Sequence, residues 1–254
     1  MSGLPVAMVL AAGRGTRMRP LTDSRPKPLI EVAGRPLIDH TLDRVDAARI
    51  ARAVVNVHHH ADMLADHLAG CTRPAIALSD ERAALLETGG GVAKALPLLG
   101  AEAFAVLNSD AIWAGPEPLT TLAAAWQAAP AGTAALMLLV PRARALGYTR
   151  PGDFFLEEEG GIPRRRGTAA EAPLVYAGAQ VLTAAAMAHP AAGAPGTAFS
   201  LNPLWDALIA EGRLRAVTWP PAEAPGEWAD VGTPPGIAVA EAMLARHAPM
   251  ARRP

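Results

Sequence analysis

Short apolar runs recur along the chain at Val6 to Ala12, Ala53 to Val57, Ala75 to Leu78, Ala103 to Leu107, Ala134 to Val140, Val175 to Leu182 and Leu214 to Thr218. They are continuous rather than alternating, so they predict strands covered on both faces, as in a parallel sheet. Between them lie segments with helical spacing. Leu37 to Ala48 reads as a helix that begins after Pro36, Asp62 to Leu68 as another that ends near Gly70, and Gly236 to His247 as a closing helix. Strands alternating with helices imply a layered α/β architecture around a mostly parallel central sheet.

Proline and glycine crowd Pro141 to Gly167 and His189 to Pro203, which predicts long loops facing a substrate rather than a linker. A length of 254 residues with 51% hydrophobic content suits one domain with a sizeable core. We expect residues 1–254 to form that domain, with a nucleotide-binding half over about 1–115 and a sugar-binding half over about 116–254. The 23 basic and 24 acidic residues leave a net charge of −1, so nothing resembles the global basic field of a nucleic-acid binder. A lone cysteine, Cys71, excludes an internal disulfide and suits a reducing compartment. The amino-terminal segment lacks a basic region ahead of its apolar stretch, and no run approaches the ~20 apolar residues of a membrane span. The expectation is a soluble, cytoplasmic protein with no membrane partner.

The densest chemistry lies in Val9 to Leu29, VLAAGRGTRMRPLTDSRPKPL, which puts a glycine turn, arginines and a lysine directly after a buried strand. Gly13 and Gly15 permit positive φ and leave backbone N–H groups free to face a phosphate, with Ala12 and Thr16 flanking them. Arg17 and Arg19 offer planar forks to phosphate oxygens, and Lys27 offers a compact charge that can follow an oxygen whose charge grows during reaction. Pro26 and Pro28 stiffen the segment around that lysine. A dinucleotide fingerprint would need glycine where Met18 stands, and a Walker A loop would need Gly-Lys-Ser/Thr where Gly15 is followed by Thr16.

The long pattern GxGTRMRPLT followed by PKPL resembles the signature of the sugar-1-phosphate nucleotidyltransferases, which join a sugar phosphate to a nucleoside triphosphate and release pyrophosphate. The resemblance implies a Rossmann-like, mostly parallel sheet flanked by helices, the nucleotidyltransferase fold. The chain has no hexapeptide repeats and no room for the β-helix domain attached to some relatives. It further implies that the loop and Arg17 hold the triphosphate and that Lys27 contacts the reacting phosphates.

Two aspartates are candidate ligands for Mg2+. Asp110, in Asn108-Ser109-Asp110, follows an apolar strand at its carboxyl end, where open α/β sheets place ligands. Asp230 lies in WADVGTP, and the family places a second carboxylate there facing the same metal. One or two carboxylates plus substrate phosphates suffice for this hard cation. Arg17, Lys27 and Asp110 are therefore the expected catalytic residues, with Asn108 beside the nucleotide.

Leu86-Glu87-Thr88-Gly89-Gly90-Gly91 reads as a second glycine turn feeding a helix, and the resemblance assigns Gly89 and Gly90 to the nucleobase, with Glu81 nearby as a polar base contact. The LETGGG form, the short chain and NSDAIW look most like the N-acetylmuramate-1-phosphate uridylyltransferases of cell-wall recycling, so UTP and that sugar phosphate are the expected partners. On the same basis Gly152, Glu171, Tyr176 and Gly178 would face the sugar, while a lysine that some relatives place near the sugar phosphate has no match. Alternatives within the class are a mannose-1-phosphate guanylyltransferase or a glucose-1-phosphate uridylyl- or thymidylyltransferase. An alternative outside it is a non-catalytic nucleotide-sensing subunit. His58-His59-His60 is no metal site by this reading, because consecutive side chains diverge on a regular backbone. Arg164-Arg165-Arg166 reads as a solvated loop, with an anion-facing role near the sugar left open.

Overall fold

A computed structural model describes residues 3–194 and 196–247. In chain order its strands are β1 (Val6–Leu10), β2 (Glu31–Val32), β3 (Arg35–Pro36), β4 (Arg52–Val57), β5 (Ala75–Asp80), β6 (Ala103–Asn108), β7 (Ala111–Ala114), β8 (Ala135–Pro141), β9 (Ala145–Leu146), β10 (Phe154–Phe155), β11 (Arg164–Arg165), β12 (Leu174–Thr183), β13 (Leu214–Thr218) and β14 (Glu227–Asp230). The α-helices are α1 (Leu37–Ala47), α2 (Ala61–Ala69), α3 (Glu87–Leu99), α4 (Pro118–Ala128), α5 (Asn202–Ala210) and α6 (Pro234–His247). Every expected apolar run is a strand, and each expected helix is present within a residue or two of its expected ends.

The main sheet runs β5-β4-β1-β6-β12-β8-β13, with the β10–β11 hairpin attached to the start of β12. β5, β4, β1 and β6 pair in parallel, and β13 pairs in parallel with β8. β12 is antiparallel to both β6 and β8, so it joins the two parallel sets into one mixed sheet. The strands are apolar on both faces because both faces are covered. On β1, Val6 and Met8 enter one core with Val54, Phe104 and Val106, while Ala7 and Val9 enter the opposite core with Leu42, Val55 and Leu107. Each such Val, Leu or Phe side chain removed from water contributes about 1.5–3 kcal/mol.

Helix spacing follows the same logic. α1 buries Leu37, Ile38, Thr41, Leu42 and Val45, one stripe along a 3.6-residue repeat. α4 and α5 were not expected from the sequence, and both begin with proline in the first turn, where its missing N–H is tolerated. A second, three-stranded sheet, β7-β14-β9, lies beyond the carboxyl end of β6. It packs with α6 around Met18, Ile112, Val231 and Met243. That small sheet brings the carboxyl-terminal part of the chain back to the glycine loop.

Candidate active site

A cavity of about 470 Å3 opens at the carboxyl ends of β1 and β6. Its walls include Ala12, Gly13, Gly15, Thr16, Arg17, Lys27, Asn108 and Asp110, so most of the expected nucleotide-site residues share one space. Parallel strands end there together, and the turns that follow them leave backbone groups free.

The glycine loop is shaped by Gly15 rather than by both glycines. Gly15 has φ +60°, and a Cβ on it would lie 2.8 Å from Thr22 Cγ2 and 2.9 Å from Lys27 Cβ. The loop therefore packs directly on the stem of Lys27. The Thr22 hydroxyl donates to the Gly15 carbonyl at 2.9 Å and holds that turn. Gly13 needs no positive φ, and a Cβ there would meet nothing within 4 Å, so its contribution is open space beside the cavity. Arg19 departs from expectation. It pairs with Asp23 at 3.2 Å on the surface, four residues on, and does not line the cavity.

Lys27 Nζ donates to Asp110 Oδ2 at 2.6 Å. Asp230 reaches the same place from the other sheet: β14 runs antiparallel to β7 with Asp230 opposite Ala111, and Val231 N donates to the Asp110 carbonyl at 3.0 Å. A Cβ on Gly232 would lie 3.1 and 3.2 Å from the two Asp230 carboxylate oxygens and 3.2 Å from Arg17 Nη2, so only glycine leaves those groups clear. Burial and the charge of Asp110 hold the Asp230 carboxyl above its usual range, against the opposing pull of Lys27, Arg17 and Arg150. Two carboxylates crowded together in this way form an oxygen donor set that fits a hard divalent cation. No cluster of three or more His, Cys, Asp or Glu suited to a metal occurs among the described residues.

Asn56 is a cavity residue that the sequence reading missed. Its Oδ1 accepts from Ala11 N at 2.6 Å and its Nδ2 donates to Glu81 Oε1 at 2.7 Å. Glu81 is fully buried, and its second oxygen accepts from Leu86 N at 3.2 Å. The expected direct contact of Glu81 with a base is thus corrected: it stands one layer behind the wall and holds Asn56. Gly89 and Gly90 are corrected too. Their N–H groups donate to the Phe199 carbonyl at 2.8 and 3.2 Å, and Cβ atoms on them would strike Phe199 Cε2 at 2.3 Å and the Thr197 carbonyl at 2.4 Å. These glycines lie inside α3 and admit the 197–199 loop, while Leu85, Glu87 and Thr88 face the cavity.

A second cavity of about 220 Å3 adjoins the first, with Leu10, Thr88, Asn108 and Ser200 common to both. Tyr176 lines it, its ring edge-on to Trp205 at 4.9 Å between centroids. Gly178 has φ +76° at the β12 bulge, and a Cβ there would lie 3.1 Å from Asn108 Nδ2, so it acts by leaving room for Asn108. Gly152 faces the backbone instead of the cavity: with φ +88°, its Cβ would lie 2.0 Å from the Ala172 carbonyl. Glu171 is exposed, pairs with Arg142 at 2.8 Å and lines neither cavity, which corrects the expected sugar contact.

Other side chains form the walls of this second cavity. Arg150, Asp153, Gln180 and Trp205 line the second cavity. Asp153 is fixed by Tyr148 Oη at 2.9 Å and by Tyr176 N at 3.0 Å. Arg165 also lines it, paired with Asp206 at 2.7 Å and stacked on Phe154, so this arginine run is more than a solvated loop. Of the histidines 58–60, His58 bonds the Glu81 carbonyl and His59 the Thr22 carbonyl, while His60, its ring centroid 4.2 Å from that of His59, precedes α2 with φ +48°.

A glycine loop, a lysine locked to an aspartate and a second aspartate on a facing strand define a phosphoryl-handling α/β fold, and residues 6–154 match the nucleotidyl transferase family model. The chain belongs to that family, within the sugar-1-phosphate nucleotidyltransferases. It is 45% identical to the N-acetylmuramate alpha-1-phosphate uridylyltransferase of Caulobacter vibrioides, over 96% of this chain and 99% of that one. It is 50% identical over 113 residues to the enzyme of the same name from Neisseria meningitidis serogroup B, covering 42% of this chain and 47% of that one. Among solved structures, the inositol-1-phosphate CTP transferase from T. maritima aligns with a TM-score of 0.75 at 15% identity, covering 99% of this chain and 100% of that one. UDP-glucose pyrophosphorylase complexed with UDP-glucose aligns with a TM-score of 0.73 at 17% identity, covering 96% of this chain and 99% of that one. These two alignments speak to the fold.

Proposed function

We propose that this protein transfers a uridylyl group from UTP to N-acetylmuramate 1-phosphate, giving the UDP-sugar and pyrophosphate. The observation that carries this reading is the convergence of Lys27, Asp110 and Asp230 beside the Gly13–Thr16 loop, where Lys27 and Asp110 line a larger cavity that a smaller one adjoins. The larger cavity suits the triphosphate and base, and the smaller suits the sugar. Identity over nearly the whole chain to a relative of that name supports the choice of substrates.

In the proposed reaction an oxygen of the sugar phosphate forms a bond to the α-phosphorus of UTP. The bond from that phosphorus to the oxygen bridging to the β-phosphorus breaks, and pyrophosphate departs in line. The attacking phosphate is already ionised near neutral pH, so the chain supplies alignment and charge rather than a general base. Lys27, held by Asp110, meets negative charge that develops at the α-phosphate. Arg17 and the amides of Gly13 to Thr16 hold the β- and γ-phosphates. Asp110 and Asp230 would hold Mg2+, which supplies charge neutralisation across the phosphate oxygens when bound. Asn56, Leu85 and Thr88 face the base, and Tyr176, Gln180 and Trp205 face the sugar. A cytoplasmic setting and a role in cell-wall recycling complete the reading.

The test is pyrophosphate release measured over a matrix of nucleoside triphosphates and sugar 1-phosphates. The expected result is highest kcat/KM for UTP with N-acetylmuramate 1-phosphate. A maximum with GTP and mannose 1-phosphate, or with dTTP and glucose 1-phosphate, would overturn the substrate assignment.

A further inference from the structure

Gln180 is an amide on a strand otherwise made for the core: Ala177, Ala179, Val181 and Leu182 around it are buried and apolar. It is itself fully buried and lines the smaller cavity. Its Oε1 accepts from Trp205 Nε1 at 3.0 Å. An indole nitrogen can only donate, so the atom facing it must be the carbonyl oxygen and the amide orientation is fixed. The two N–H groups on Nε2 are then left over. Nε2 is buried and has no hydrogen-bond partner among the described residues.

An unpaired buried donor is destabilising, and a leucine or methionine would avoid that cost on this strand. A buried donor beside a cavity makes sense when its acceptor arrives with a ligand. The surroundings narrow what that acceptor is. Phe154, Tyr176, Leu201 and Trp205 give the cavity apolar and aromatic walls. Arg165, the cation nearest Trp205, already has partners in Asp206 and Asn202. A neutral donor against an aromatic wall suits a group with a carbonyl oxygen and a small apolar end, as in an acylamido substituent. A carboxylate or phosphate would turn instead to Arg150, the other cation lining this cavity, which lies over the Tyr148 ring and has no acidic partner among the described residues.

We infer that Gln180 is a specificity-determining residue, whose amide N–H donates to the carbonyl oxygen of an N-acyl group on the sugar phosphate while Trp205 holds the amide in place. The inference rests on the proposed transferase activity. It is tested with the full-length enzyme and saturating UTP, by comparing kcat/KM for N-acetylmuramate 1-phosphate with that for the same compound bearing a free amine. In Gln180→Leu the preference for the acylated compound is expected to fall about tenfold, mainly through KM for the sugar phosphate, with KM for UTP unchanged. Gln180→Met, close to glutamine in length and volume, is expected to do the same and decides the matter if the leucine variant does not fold. A folded variant that keeps the wild-type preference, or loses activity equally on both compounds, would overturn the assignment. Wild-type enzyme inactive with every sugar phosphate would overturn the transferase activity itself and this inference with it.

Discussion

Lys27 and Asp110, 83 residues apart in the chain, meet through a 2.6 Å hydrogen bond at the edge of the larger cavity. Lys27 comes from the short helical turn Lys27–Leu29, and Asp110 follows the central strand β6. The bond fixes a long, otherwise flexible ammonium group where phosphates would react, and an ammonium fixed in advance needs no reorganisation at the moment of reaction.

Lys27→Ala should therefore reduce turnover by about 100- to 1,000-fold. The fold should survive, since Asp110 keeps some solvent access and the loop still packs through Gly15; a melting temperature within a few degrees of wild type is expected. Steady-state pyrophosphate release and thermal unfolding on one preparation check both halves. Near-normal turnover would remove Lys27 from the reaction.

Two glycines separate architecture from function. Gly152→Ala places a methyl group against the Ala172 backbone at a φ of +88° and should destabilise the fold by on the order of 2–4 kcal/mol. Gly13→Ala meets only open space, so stability should hold while KM for the nucleoside triphosphate rises. Chemical denaturation and kinetics of the two variants give the comparison. Equal destabilisation would show that the Gly13 turn has been misread.

Glu117 links the halves of the chain, capping α4 through Leu119 N at 3.3 Å and pairing with Arg44 of α1 at 3.2 Å. Burial raises its carboxyl to about 7, against the opposing pull of Arg44. A carboxyl raised in the folded state stabilises most below its unfolded value, and that contribution is lost as pH rises through about 4.5 to 7. The unfolding free energy of wild type relative to Glu117→Gln should fall across that window, by on the order of 1–3 kcal/mol. Denaturant titrations of both proteins at several pH values measure it. A relative stability that rises with pH would contradict the assignment.

The fold was legible where burial is two-sided. β1, β4, β6, β8 and β12 read as unbroken apolar runs because helices and loops cover both faces of their sheet. α4 was hidden by its alanines, which mark no clear polar face, and α5 by Pro203, which breaks helices elsewhere but sits in the first turn of this one. The phosphate end of the site was readable because glycine, lysine and arginine are needed there by type. The base and sugar ends were not. Gly89 and Gly90 suggested a ligand but accommodate Phe199 and Thr197, and Glu81 supports Asn56 from behind. One signal was available: Asn56 and Gln180 are amides within apolar strands, and a buried amide requires a partner.

In the proposed reaction Asp110 and Asp230 share one cation beside the triphosphate, and Asp230→Asn tests that sharing most directly. Magnesium dependence of pyrophosphate release from UTP and N-acetylmuramate 1-phosphate should be followed in wild type and variant, with thermal unfolding as a control for the fold. The expected result is a folded variant whose turnover falls at least about 100-fold and whose magnesium requirement moves to higher concentration. A folded variant with wild-type turnover and an unchanged magnesium profile would contradict it.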